Sequence, residues 1–381
     1  MQPTPPRLNT RRQRLARQYA AISKRLSLVQ SAIVAAILLA LLFGGFSVKI
    51  SRVLAFPQPW ASALYFAVLA ICLSVLLMPF TYYQGFILPR RYGLSHQKFS
   101  PWLNDRAKAS GLSFLLSLAL VNLVYWLLEN FPDSWWLWAA IALIILSLIL
   151  TRLTSTLLLS LFFKLEPLAD KRLRRRLVNL AKRAKAPILG VFTINLSSKS
   201  TTANAMLAGW GGTRRIILTD TLLQKYTPDE IEVVLAHELG HHLHKDIFKI
   251  IVLQAGMILV GLYLSNLVLR ASLVPFGFQG IADAAALPLL FLFMAVLMVI
   301  VTPLINAFSR RVEVSADETA LELTSNPEAF IAAMTRLTNQ NLSVADPGRW
   351  VELLFYDHPP YTKRVNLAKR YGLNLVREVR D

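Results

Sequence analysis

Two histidines four residues apart, His237 and His241, bracket a glutamate in the stretch "AHELGHHLHKD", which runs directly into the apolar "IFKIIVLQAG". On a helix of 3.6 residues per turn, positions i and i+4 share a face, so both imidazoles can offer a nitrogen to one metal ion. Glu238 is turned away from them by about 100° and can reach a water at such a metal without ligating it. This is the His-Glu-x-x-His spacing of zinc hydrolases, in which zinc lowers the pKa of a water to about 7 and the glutamate takes its proton as a peptide carbonyl is attacked. A solvated polar helix face would carry similar residues. Here Thr227 stands as N-cap, Pro228 follows at the first helical position and Glu230 completes a capping box, so the histidines fall on a well-started helix.

A catalytic zinc commonly keeps three protein ligands and one open position. The single cysteine, Cys72, lies in an apolar run and can form no thiolate cluster, so the ligands must be histidines and carboxylates. His244 shares the face of His237 and His241, although one more turn carries it away from a metal held by the other two; His242 points elsewhere. In "NAFSRRVEVSADETALEL", Glu313 and Asp317 share a helical face at i, i+4 and are better placed. Either could instead pair with Arg310 or Arg311 on a solvated helix, so spacing alone leaves His244 as a rival.

The elements that must position these residues are mostly apolar. Lys and Arg number 41 against 22 Asp and Glu, a net charge of +19, yet 55% of the 381 residues are hydrophobic. That combination suits a membrane protein with basic flanks; a nucleic-acid binder would not need repeated apolar runs. Six runs meet the roughly 20 residues a spanning helix requires, near 28–48, 61–83, 112–129, 135–164, 247–270 and 286–308. The fourth is too long for one span, and its half containing Arg152 is expected to leave the bilayer or line a wet cavity. Tryptophans in "DSWWLWAA" are expected in an interfacial belt.

Basic residues crowd the N-terminal segment, "PRRYGLSHQKFSPWLNDRAK" and "KLEPLADKRLRRRLVNLAKRAK", whereas "ENFPDS" and "VPFGFQGIADAA" contain no Lys or Arg. The basic side is therefore expected to be cytoplasmic, with the polar segments 165–246 and 309–381 both on it. The division that follows is a membrane domain over 1–164, a catalytic segment over 165–246, a transmembrane hairpin over 247–308 and a second catalytic segment over 309–381. "VFTINL", "ANAMLAGW" and "RRIILTD" read as strands of a small antiparallel sheet, with a tight turn at "GWGGTR".

Taken together, the chain resembles the integral-membrane zinc metalloproteases of the type I CAAX prenyl endopeptidase family, which also includes the related heat-shock membrane proteases. "PFTYYQGFILPRRYGLS", "FFKLEPLADKRL", "TTANAMLAGWGGTRRIILTDTLL", "HELGHH", "SRRVEVSAD" and "DHPPYTKRV" occur in the family's order. The resemblance implies His237, His241 and Glu313 as ligands of one Zn2+ and Glu238 as catalytic base. It implies Asp317 as a supporting partner or proton donor, and Asn204, His358 and Arg364 near substrate. Six spans against the seven of eukaryotic members point to a prokaryotic cell membrane, where a prenylated substrate is not implied.

Other readings of single residues remain beside these. His358 could cap a turn, Arg364 could pair with Glu352, and Asn204 could simply begin a strand. A transporter would explain the helices, but the expected spans place no Asp or Glu at depth. An inactive scaffold would not require Glu238. The expectation is a polytopic α-helical membrane protein with a small α/β zincin-like domain, cleaving protein or peptide substrates at the bilayer and binding no nucleic acid.

Overall fold

The computed structural model describes residues 6–54, 56–57, 60–153, 159–209 and 214–378. Helix α1 (Thr10–Phe43) begins where the Asn9 side chain accepts from the Arg12 N–H, and it ends at Gly44 and Gly45. Gly45 sits at φ 65°, which turns the chain into α2 (Phe46–Val53) and splits the first expected span. Then come α3 (Trp60–Tyr82), a π-helical turn (Tyr83–Ile87) leading into α4 (Leu88–Arg91), α5 (Phe99–Asn130) and α6 (Trp135–Leu153). The fourth run is thus shorter than expected: α6 has 19 residues, about 28 Å and one bilayer core. Residues 154–158 lie outside the described set, and α7 (Leu159–Phe162) is a separate turn.

The long helices are apolar without being covered. Among the described residues six are long and apolar enough to cross a membrane, and even the most covered of their apolar windows has only 33% of its residues buried. In water that surface would be untenable; against lipid it is the expected outside, since a helix satisfies most of its backbone polar groups internally. One end of the bundle is tied by polar contacts: the Ser47 hydroxyl donates to the Ala285 carbonyl and meets the Tyr65 hydroxyl. Trp135 departs from the expected belt. It is buried and its indole N–H donates to Asn266 Oδ1 at 2.8 Å, because a desolvated indole needs an acceptor. Trp138 remains exposed.

The other end carries the sheet. β1 (Leu165–Pro167) leads to α8 (Lys171–Arg183), followed by β2 (Gly190–Ile194), β3 (Ala205–Ala208) and β4 (Arg215–Thr219) in the order β1-β2-β4-β3. The sheet is mixed rather than antiparallel: β2 and β4 run parallel, Val191 opposite Ile216, while β1–β2 and β3–β4 are antiparallel. The cause lies in the loop after β2, which the membrane domain holds by a Ser95–Ser200 bridge and a Thr201 N–H bond to the Leu94 carbonyl. That excursion leaves β3 at the sheet edge, and β4 returns between β3 and β2. The turn expected at "GWGGTR" falls on residues 210–213, outside the described set.

After α9 (Asp220–Lys225) comes α10 (Pro228–Leu243), with Thr227 accepting from the Glu230 N–H and Glu230 accepting from the Thr227 N–H, the capping box expected. Lys245, at φ 55°, breaks the chain between α10 and the fifth span, α11 (Asp246–Ala271). A short α12 (Leu273–Phe276) precedes α13 (Leu287–Thr324), a single helix of 38 residues that contains both the sixth span and Glu313. The boundary at 308/309 therefore falls inside one continuous helix. α14 (Pro327–Gln340), α15 (Arg349–Phe355) and α16 (Tyr361–Glu378) complete the chain. The core of this half joins Leu177 and Leu180 of α8, Ile216 and Leu218 of β4, Leu235 and Leu239 of α10, and Phe330 of α14.

Candidate metal centre

α10 and α13 pack closely because Gly240 lets them. A β-carbon at that position would stand 3.0 Å from Ala316 Cα and 3.1 Å from its carbonyl oxygen, so any side chain would push the two helices apart. Their contact brings His237, His241 and Glu313 together, with one ligand atom from each lying within 4.8 Å of the others. Glu313 Oε2 is 3.3 Å from His237 Nε2, and Oε1 is 3.4 Å from His241 Nε2. Glu313 Oε2 is also buried and accepts no well-formed hydrogen bond. Nitrogen and oxygen lone pairs that face one another in a buried site suit a shared cation, and two imidazoles with one carboxylate match the donor set of a catalytic zinc.

The far side of each imidazole is held. His237 Nδ1 is 2.8 Å from Asp317 Oδ1, and Asp317 in turn accepts from Arg364 Nε at 2.7 Å and from its Nη2. His241 Nδ1 is 3.0 Å from Asp246 Oδ2, whose other oxygen accepts from Lys249 Nζ at 2.8 Å. Carboxylates on both Nδ1 atoms fix the tautomer that leaves Nε2 free to ligate. Burial disfavours an imidazolium at His237, but Asp317 and Glu313 outweigh it and raise the pKa to about 9, a measure of how strongly this pocket favours positive charge. Protons and metal compete for the same lone pair.

Asp246 was not visible as a partner in the sequence, since it lies five residues beyond His241 and off its helical face. Only the break at Lys245 folds it back. We expect Asp246→Asn to weaken metal affinity by about 10- to 100-fold while leaving the helices intact, measured by competition with a chromogenic chelator. Unchanged affinity would reduce Asp246 to a cap of α11.

Burial raises the pKa of Glu238, outweighing the nearby imidazoles and the Leu207 backbone N–H that favour its charged form. A carboxylate shifted toward neutrality is suited to accept a proton. Glu238 lines a cleft of about 410 Å³ with Asn204, Asn341, Tyr356, His358 and Arg364. Asn204 immediately precedes β3, its N–H held by Thr219 Oγ1 at 3.0 Å. His358 reaches the same centre: its Nε2 is 3.3 Å from Glu313 Oε1, and its Nδ1 is 2.9 Å from Asp357, the contact that chiefly raises its pKa.

His244 is turned to α13 instead, with Nδ1 2.7 Å from Ser315 Oγ and Nε2 3.3 Å from Thr319 Oγ1, so it packs helices and stands apart from the cluster. Glu352, the other partner considered for Arg364, is taken by Lys363.

Residues 167–371 match the family model for peptidase family M48, and residues 6–164 match the CAAX prenyl protease N-terminal model, described as five membrane helices. The chain belongs to peptidase family M48. Among its relatives, the uncharacterized metalloprotease YhfN of Bacillus subtilis is 32% identical over 309 residues, covering 80% of this chain and 72% of that protein. A CAAX prenyl protease 1 homolog of Arabidopsis thaliana is 30% identical over 296 residues, covering 76% and 68%. The crystal structure of S. mikatae Ste24p shares the fold, with a TM-score of 0.83 at 23% identity over 95% of this chain and 90% of that one. The protein is thus a multi-pass membrane metalloprotease acting on peptide or protein substrates.

Proposed function

We propose that the protein is a zinc endopeptidase that cleaves membrane-associated proteins or peptides at the cytoplasmic face of a prokaryotic cell membrane. The observation that carries this reading is the convergence of His237 Nε2, His241 Nε2 and the buried Glu313 carboxylate beside a cleft containing Glu238. These three residues would hold the ion, which when bound supplies Lewis acidity to a carbonyl and to a water. Glu238 takes the water's proton. His358 can donate to the oxyanion that develops as the carbonyl is attacked, with Asp357 keeping its ring protonated. Asp317 positions His237, and Arg364, its donors turned to both Asp317 oxygens, keeps that carboxylate ionised.

Among the described residues β3 pairs only with β4, and Leu207 of β3 lies near Glu238, so the unpaired edge is beside the proposed chemistry. An extended substrate can add to that edge by main-chain hydrogen bonds, with little dependence on its sequence. Asn204 stands at the start of the edge. Asn204→Ala should keep zinc and stability yet lower kcat/KM by one to two orders of magnitude, roughly 1.4 to 2.7 kcal/mol, on a model peptide. A wild-type rate would move substrate off this edge.

The orientation rests on the basic ends of the spans. The function itself is tested on the purified full chain in lipid. Metal analysis should give about one zinc per chain, and a chelator should abolish cleavage that added zinc restores. Zinc-free protein that still cleaves would end the proposal.

A further inference from the structure

Helix α15 presents to the outside a set of side chains that a water-facing helix would not carry. Trp350 is 73% exposed and Phe355 50%, with Leu353 and Leu354 exposed beside them. Two independent contacts fix its height on the bundle. On α13, Asn306 Nδ2 donates to the Leu354 carbonyl at 2.9 Å, and Arg310 Nη1 donates to the carbonyls of Glu352 and Tyr356. On α1, Lys24 Nζ lies 4.9 Å from the Phe355 ring centre and 5.2 Å from that of Tyr356.

Both marks are boundaries. Below Asn306, α13 turns exposed Leu304 and Ile300 outward, and beyond Lys24 and Arg25, α1 does the same with Leu28 and Val29; above the two marks stand Arg310, Arg311, Arg17 and Arg14. The apolar residues of α15 therefore extend the apolar belt of the spans at the level where polar residues begin.

We infer that α15 is a membrane-surface helix, lying on the bilayer that the chain spans with Trp350, Leu353, Leu354 and Phe355 in the boundary between headgroups and acyl chains. The occupant of this face is lipid. Continuity with the apolar belt argues for it, and so does Arg349, next to Trp350 in sequence, since a cation adjoining an aromatic anchor suits the headgroup level of an anionic leaflet. The placement has a functional corollary. His358 follows Phe355 by three residues, and Tyr356 between them is fixed to Arg310, so the segment that carries His358 to Glu313 is anchored at one end by lipid.

The inference rests on the multi-pass reading and is tested so that the two can fail separately. In full-length protein with Cys72→Ser, an environment-sensitive fluorophore is attached at Leu354→Cys or, as control, at Val299→Cys on the lipid face of α13. Both proteins are reconstituted in phosphatidylcholine–phosphatidylglycerol nanodiscs containing lipids spin-labelled near the headgroup or deep in the chain. The Val299 probe should be quenched by the deep label, and failure there would indict the span and not α15. The Leu354 probe should be quenched at least twofold more by the shallow label than by the deep one. In Trp350→Asp/Leu353→Asp protein that quenching should be lost, with KM for a short soluble peptide unchanged and kcat lowered several-fold. An aqueous emission without quenching overturns the inference. So does a blue-shifted emission without quenching, which would give this face to protein, either a second copy or a substrate. A wild-type kcat in the double variant would remove the link to His358.

Discussion

Glu238→Gln is expected to retain its zinc and its fold while turnover falls by about 10²- to 10⁴-fold, the range typical of a lost general base. The amide has nearly the shape of the carboxylate, so the packing around it is kept. What it cannot do is accept a proton from water. Glu238 ligates nothing in the arrangement of His237, His241 and Glu313, so metal content and turnover should separate cleanly. Zinc is measured by mass spectrometry on the purified protein, and turnover on a peptide in the same sample. Near-wild-type turnover would require a different base; loss of zinc would make Glu238 a ligand.

Removing a ligand should have the opposite signature. His237→Ala, His241→Ala and Glu313→Ala each take one of three donors from a buried site, and each should cost more metal affinity than the roughly 10- to 100-fold expected for a partner such as Asp246. Turnover should fall with zinc occupancy. His244→Ala supplies the contrast: its contacts are Ser315 and Thr319, so zinc should stay while the α10–α13 packing loosens slightly. Titration of the apo-proteins against a competing chelator measures all four. Full zinc in Glu313→Ala with loss in His244→Ala would transfer the third position to His244.

Much of this was legible in the sequence where the signals are local. The Thr227–Glu230 capping box, the phase of His237 and His241 and the six apolar runs depend on neighbours within a turn or two, and the helices formed where those signals stood. The i, i+4 pairing of Glu313 with Asp317 likewise brought both to the same histidine, from opposite sides of its ring.

What was not legible depends on distant contacts or on a backbone break that no side chain announces. The parallel pairing of β2 with β4 follows from a loop held by residues 94–95 of the membrane domain, about a hundred positions away. Asp246 meets His241 because Lys245 adopts a left-handed conformation, which nothing in its side chain requires. Trp135 has the sequence setting of a belt residue, but its indole partner, Asn266, lies 131 positions further along the chain. The packing role of Gly240 was hidden because it depends on Ala316 in another helix.

The length of α13 has a mechanical meaning. At 38 residues it is a rod of about 57 Å, nearly twice the hydrocarbon thickness, and its far end is rooted in the bilayer while its near end holds Glu313. The histidines belong to a second helix, α10, which joins the fifth span through the two-residue turn His244–Lys245 and lies against α13 at Gly240. Tilting one span against the other by 10° displaces a point about 10 Å past the pivot by roughly 2 Å, as long as a metal–ligand bond. The seam between α10 and α13 at Gly240 is therefore the clamp that lets a centre built half on a bilayer-rooted rod keep its spacing.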